Sequence, residues 1–271
     1  MKIQANHLVL CISLIAILAG CQTSNSKQEA TKDLSLEEST SLSIATSHLN
    51  NSRPDKAIEE LKPLLQENPN HYQALNMTGL AHLALSNGSR AQELFQKAIS
   101  IRPEIAISVN LSSAYLQNKR FRDAEKLLNQ MLKDPKFQEY EHKERIYHNI
   151  GLALSNLKKP LSAKVYLDRA VHENPLFYLS HMELASLNFK LKRPADALAS
   201  LEKARFACPT CFPPVQGQIK WYQSKGDSRM VKRILRDYKM TEGVTMKDRQ
   251  SLAELESTMT SLLADPAALE G

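Results

Sequence analysis

Residues 72–103 read Y-Q-A-L-N-M-T-G-L-A-H-L-A-L-S-N-G-S-R-A-Q-E-L-F-Q-K-A-I-S-I-R-P, and the spacing within them decides the fold. Gly79 is followed twelve residues later by Ala91, and then by Phe95, Ala98 and Pro103. Small side chains at that interval let two antiparallel helices cross closely; a larger side chain at either place would push the helices apart. Phe95 fills the space toward the next unit, and Pro103 closes this one. One helix pair cannot bury its own apolar face, so neighbouring copies are required.

The register extends in both directions. Small-residue pairs twelve apart recur at 45/57, 79/91, 112/124, 151/163 and 185/197, and Pro69 and Pro103, like Pro175 and Pro209, are separated by 34 residues. This grammar resembles the tetratricopeptide repeat. The expected fold is all-α: a tetratricopeptide-repeat superhelix of about six helix-turn-helix repeats, at 38–71, 72–104, 105–138, 144–177, 178–211 and 212–240. The solenoid as a whole occupies 36–240. The sixth repeat is degraded, with Ile219 and Val231 at the small positions, as a terminal unit tolerates. A capping helix is expected at 246–264, where Leu252, Leu255, Met259, Leu262 and Leu263 share one face and Asp248 stands as a candidate cap. Ser35 and Glu38 form a capping-box signature for the first helix. Between repeats three and four lies a longer connection, 135–143, charged and aromatic. Pro54, Pro160 and Pro194 fall at turns or helix starts, where proline is tolerated. Pro63 falls inside a helix, which it is expected to kink or weaken at a cost of about 3 kcal/mol.

The chain has 271 residues, a formal charge of +6 and 42% hydrophobic residues, too few for a polytopic membrane protein. The positive charge is spread without a block of five or six like residues, so it singles out no acidic partner class. The N-terminus says more. Lys2 precedes an apolar run over 8–19, too short to span a bilayer permanently. A basic start, an apolar core and small residues before Cys21 read as a secretory signal over 1–20. Leu18-Ala19-Gly20-Cys21 resembles the bacterial lipobox. That resemblance implies cleavage before Cys21, which becomes the diacylglyceryl- and palmitate-modified first residue. Gln22 after it, in place of Asp, implies the outer membrane, periplasmic face. Residues 21–35 then read as a lipidated, flexible polar tether, and several acyl chains give firm anchoring.

No catalytic constellation is present: there is no G-x-S-x-G, no glycine-rich phosphate loop and no H-E-x-x-H. The expected protein is not an enzyme, with no cofactor, no small-molecule substrate and no nucleic acid. His48 and His82 take a repeat position usual for Tyr and read as packed, hydrogen-bonded residues. His142 and His148 are too isolated for a zinc site, so no metal is expected. Cys208-Pro209-Thr210-Cys211 is the one chemical motif of the mature chain. A structural disulfide suits an oxidising compartment; a redox pair, a metal site and free thiols are the alternatives. A disulfide there would fix the angle at which the weak sixth repeat docks.

First helices of successive repeats line the groove in such solenoids. The register places Asn76, Leu80 and Leu83 there in repeat two, Val109, Ser113 and Leu116 in repeat three, Arg145, His148 and Leu152 in repeat four, and Met182, Ser186 and Phe189 in repeat five. This largely apolar lining suits an amphipathic helix or extended segment of a protein partner. Asn110 and Asn149 share one repeat position and either hold a partner's backbone or belong to the repeat consensus. Arg145 alone is too little for a carboxylate clamp.

A lipobox followed by about six such repeats, with C-P-T-C-F-P-P after the fifth, resembles the type IV pilus pilotin family of PilF, PilW and Tgl. The resemblance implies a membrane-anchored scaffold that binds secretin subunits and promotes their outer-membrane insertion and multimerisation. An envelope adaptor like NlpI, recruiting peptidoglycan hydrolases or a protease, and a component of the outer-membrane protein assembly machine are the competing readings.

Overall fold

The computed structural model describes residues 34–245, 248–250 and 252–254. The leader over 1–20, Cys21, the tether as far as residue 33 and most of the expected helix at 246–264 lie outside the described residues. Within them the chain forms twelve α-helices and one 3-10 turn, with no strand. In order these are α1 (Leu36–Asn50), α2 (Pro54–Glu67), α3 (Tyr72–Ala84), α4 (Gly88–Ile101), α5 (Ile105–Gln117), α6 (Phe121–Met131), α7 (Lys143–Asn156), α8 (Pro160–Glu173), α9 (Tyr178–Lys190), α10 (Pro194–Ala207), α11 (Phe212–Ser224) and α12 (Ser228–Lys239).

The repeat is written into the backbone at the turn after each odd-numbered helix. Ser52, Ser86, Lys119, Lys158, Lys192 and Gly226 all have positive φ, between 55° and 68°. The next residue then donates its N–H back five places: Arg53 to His48, Asn87 to His82, Arg120 to Tyr115, Lys159 to Leu154, Arg193 to Asn188 and Asp227 to Tyr222, all within 2.8–3.0 Å. This is the Schellman closure, which satisfies the last carbonyls of a helix and reverses the chain. Glycine is the cheapest residue for that backbone, yet only the sixth turn uses it.

The spacing of these turn residues is near 34 except between Lys119 and Lys158. The extra length is a five-residue 3-10 turn, Pro135–Glu139. It is anchored by Phe137, which is buried and meets Tyr147 edge to face at 5.9 Å, with the Lys143 ammonium 5.6 Å from its ring centre.

The chain divides into two compact units, residues 1–163 and 164–271. In unit 1, each of α1 to α6 packs on the next, and α1, α3, α5 and α7 also touch one another in series. The core holds Ala45, Ala57, Ala91, Ser112 and Ala124 with no exposure, beside fully buried Leu61, Phe95 and Leu128. The capping box at α1 is present: Glu38 N donates to Ser35 Oγ at 3.1 Å, and Ser35 N to Glu38 Oε2 at 2.8 Å. Pro63, expected to kink or weaken its helix, lies inside α2. α2 runs unbroken from Pro54 to Glu67, with Pro63 exposed. The carbonyl left without an N–H, that of exposed Glu59, lies where water reaches it.

Unit 2 builds its core from Phe212, Val215, Ile219, Val231, Ile234, Leu235 and Tyr238, with Val244 and Leu252 completing it. Ala185 and Ala197 stay buried in this unit, and a further close approach joins α10 and α11: a Cβ on Gly217 would stand 2.9 Å from Leu201 Cδ2, so α11 packs there through glycine. Leu252 comes from the last described helical residues. Their cap is Thr245, not Asp248: Asp248 N donates to Thr245 Oγ1 at 3.1 Å, and the Thr245 hydroxyl donates to Asp248 Oδ2 at 2.6 Å.

Candidate functional site

The site is built from the first-helix face of each unit. In unit 1, Asn76 on α3, Ser113 and Leu116 on α5, and Arg145 and Leu152 on α7 are half-buried and remain reachable. Leu80, Leu83 and Val109, expected on this face, are instead buried, at 2%, 5% and 0% exposure. α1, α3, α5 and α7 contact one another in series. A residue on the shoulder of one helix is therefore covered by the next, although a helical wheel places it near the groove.

Asn110, His148 and Asn149 are also corrected: all three are buried, at 3%, 6% and 7% exposure. The asparagines are engaged within the chain and do not wait for a partner's backbone. Asn110 Nδ2 donates to Asn76 Oδ1 at 3.0 Å, and Asn110 Oδ1 accepts from Arg145 Nη2 at 3.2 Å. Asn149 Nδ2 donates to Ser112 Oγ at 2.9 Å and to Ser113 Oγ at 3.1 Å. Gln117 Nε2 donates to the Leu83 carbonyl at 3.1 Å. Each of these bonds joins one repeat to the next, so the polar groups form rungs that fix the stacking of α3, α5 and α7. Asparagine recurs at one repeat position, Asn76, Asn110 and Asn149, which is the signal that could have revealed the rungs.

Arg145 is the charged centre of this face. Burial pulls its pKa below the arginine value, opposed by Tyr140 and Glu144. Tyr140 comes from the inserted connection, and its buried hydroxyl has no hydrogen-bond partner among the described residues. His148, one helical turn on, is held neutral: burial first, then the charge of Arg145, lowers its pKa to about 3.

In unit 2, Met182 and Phe189 on α9 are half-buried. The Phe189 ring lies 5.0 Å from that of Trp221 on α11, whose face carries the Lys225 ammonium at 4.9 Å. Beside Met182, burial pushes the Glu183 carboxyl up to about 6, against the attraction of Lys190. Cys208 and Cys211 are joined in a disulfide that closes the link between α10 and α11. No group of three or more metal-ligating side chains occurs among the described residues.

The tetratricopeptide-repeat profile matches residues 42–104 and 148–210. The chain carries tetratricopeptide repeats. Its sequence is homologous to the type IV pilus assembly protein PilF of Pseudomonas aeruginosa, with 24% identity over 183 residues, 66% of this chain and 71% of PilF. The fold is shared with PilW, a type IV pilus biogenesis factor, at a TM-score of 0.63 and 17% identity, over 81% of this chain and all of PilW. It is shared with a thermophilic tetratricopeptide-repeat protein of Thermus thermophilus at a TM-score of 0.58 and 21% identity, over 66% of this chain and 96% of that one. Repeats of this kind build protein-binding surfaces by stacking, so a protein partner follows from the fold.

The rungs between these repeats have a measurable effect on stability. Asn110→Ala removes the acceptor of Arg145 and the donor to Asn76 together. The half-buried Arg145 guanidinium then loses its hydrogen bond to Asn110, which costs about 1.5–3 kcal/mol in stability. Urea unfolding followed by circular dichroism measures it; a change below about 0.5 kcal/mol would show that the rung is ornamental to stability.

Proposed function

We propose that this protein is a lipid-anchored periplasmic scaffold that binds secretin subunits and promotes their outer-membrane insertion and multimerisation in type IV pilus biogenesis. The observation that carries the reading is the homology to PilF, supported by a shared fold that extends over the whole of PilW. The lipobox ending at Cys21 supplies the anchor, and the polar tether gives the folded units reach. The half-buried residues Leu116 and Leu152 in unit 1, and Phe189 in unit 2, are the apolar positions offered to a partner segment.

Deleting the gene and blotting the secretin tests the proposal. Heat-resistant secretin multimers should give way to monomer, and piliation should be lost. Normal multimers with normal pili would sink it. In the intact chain, Leu152→Glu or Phe189→Glu should abolish co-purification of the secretin while the helical circular dichroism signal is kept. Retained co-purification in both variants would move the binding site off the first-helix faces.

A further inference from the structure

Unit 2 has one edge that the scaffold reading leaves unused. Phe206, at the end of α10, is 80% exposed, and Met240, just past α12, is 79% exposed. They are 34 residues apart and so occupy the same place in successive repeats. The Tyr238 hydroxyl donates to the Thr210 carbonyl at 2.7 Å, which pins the end of α12 to the link that follows α10. Phe206 lies four residues before that carbonyl and Met240 two residues after that tyrosine, so both stand at the same end of the unit.

The exposed side of α12 is strongly cationic. Arg229, Lys232, Arg233, Arg236 and Lys239 are all exposed along about 15 Å of helix, against a single carboxylate, Asp237, 3.9 Å from Arg233. Arg229, Lys232 and Arg236 have no ion pair among the described residues. The opposite side of α12, Val231, Ile234, Leu235 and Tyr238, is consumed by the core. The helix therefore cannot roll and embed its apolar face, as a free amphipathic helix would.

We propose that this edge rests on an anionic phospholipid surface, with Phe206 and Met240 entering the headgroup layer and the α12 cations meeting lipid phosphates. The composition favours lipid over an acidic protein. Protein interface cores are poor in lysine and gather affinity in pockets around buried anchors. Here the open clefts along α12 are lined chiefly by the cations Arg229, Lys232, Arg236 and Lys239. Long flexible cations beside protruding apolar tips suit a fluid array of headgroups, where each basic residue adds about 1 kcal/mol. The contact is independent of the acyl anchor.

The test uses the full chain reconstituted with vesicles of phosphatidylcholine alone or with one third phosphatidylglycerol. Acetylation of Lys232 is read by mass spectrometry, with exposed Lys97 on α4 as internal control. Modification of Lys232 should fall at least about threefold on the anionic vesicles relative to the neutral ones. It should recover in high salt and in the Phe206→Ser/Met240→Ser variant, while Lys97 does not change. Equal modification of Lys232 on both vesicles overturns the proposal. So does protection of Lys232 by added polyglutamate but not by phosphatidylglycerol, which would assign the edge to an acidic polypeptide.

Discussion

Phe95→Ala will destabilise unit 1 by about 3–5 kcal/mol, the range for an aromatic removed from a packed core. Phe95 is fully buried, and its ring lies against the place where α3 has no side chain. A Cβ built on Gly79 would stand 2.6 Å from Phe95 Cε1 and 2.9 Å from both Cδ1 and Cζ. Ring and glycine are thus one fitted pair, which sets how closely α3 and α4 cross. The pair makes the effect of Gly79→Ala decidable. Helix propensity alone predicts a gain of about 1 kcal/mol. Overpacking against a ring that has no room to move costs about 1–3 kcal/mol, so the net effect should be a loss. Phe95→Leu in the Gly79→Ala background should recover part of that loss, giving a favourable coupling energy in the double-mutant cycle. The measurement is the far-UV circular dichroism unfolding curve of the four proteins. A Gly79→Ala variant more stable than the native chain would show that the crossing has slack.

The same pair shows why the fold could be read from the sequence. Close crossing needs small residues at a fixed interval, and that demand leaves a pattern at 45/57, 79/91, 112/124, 151/163 and 185/197 that no other feature disturbs. The turns left no such mark. Serine or lysine occupies the left-handed position in five of six, because the Schellman bonds and the packing of the helix pair hold it there without glycine. The binding face was only half legible. Helical period tells which side of α5 faces inward, but whether Val109 or Leu116 is reachable depends on how far α3 and α7 overlap it. The same gap hid the role of Asn110 and Asn149, whose spacing was visible and whose partners were not. Phe137 sits in an insertion outside the repeat, so no periodic comparison could mark it as an anchor. His82 was expected to be hydrogen-bonded, yet its buried Nδ1 has no partner among the described residues; the turn closes around it through its carbonyl alone.

Acidification should unfold unit 1 well before unit 2. His148 in the folded chain has a pKa of about 3, lowered from 6.5 by burial and then by Arg145. Above pH 6.5 the imidazole is neutral in both folded and unfolded states, and its contribution to stability is complete. As pH falls from 6.5 toward 3 only the unfolded chain takes up the proton, so stability is lost at about 1.4 kcal/mol per pH unit, to a ceiling of about 5 kcal/mol. His82, also depressed by burial and then by Arg90, acts in the same direction. Unit 2 contains an opposing group. The Glu183 carboxyl is raised from 4.5 to about 6 by burial, against Lys190. Its contribution is complete below pH 4.5 and lost as pH rises through 6, so acidification returns about 2 kcal/mol to unit 2. His181, lowered by burial against its bond to the Pro175 carbonyl, offsets part of that gain. The single tryptophan, Trp221, belongs to unit 2 and separates the two responses. On titration from pH 7 to lower pH, far-UV circular dichroism should begin to fall while Trp221 fluorescence still holds its native value. His148→Gln should move the first transition down by about one pH unit, and Glu183→Gln should stabilise unit 2 at pH 8 but not at pH 4. Coincident transitions in the native chain, left in place by His148→Gln, would show that neither group governs the acid limit.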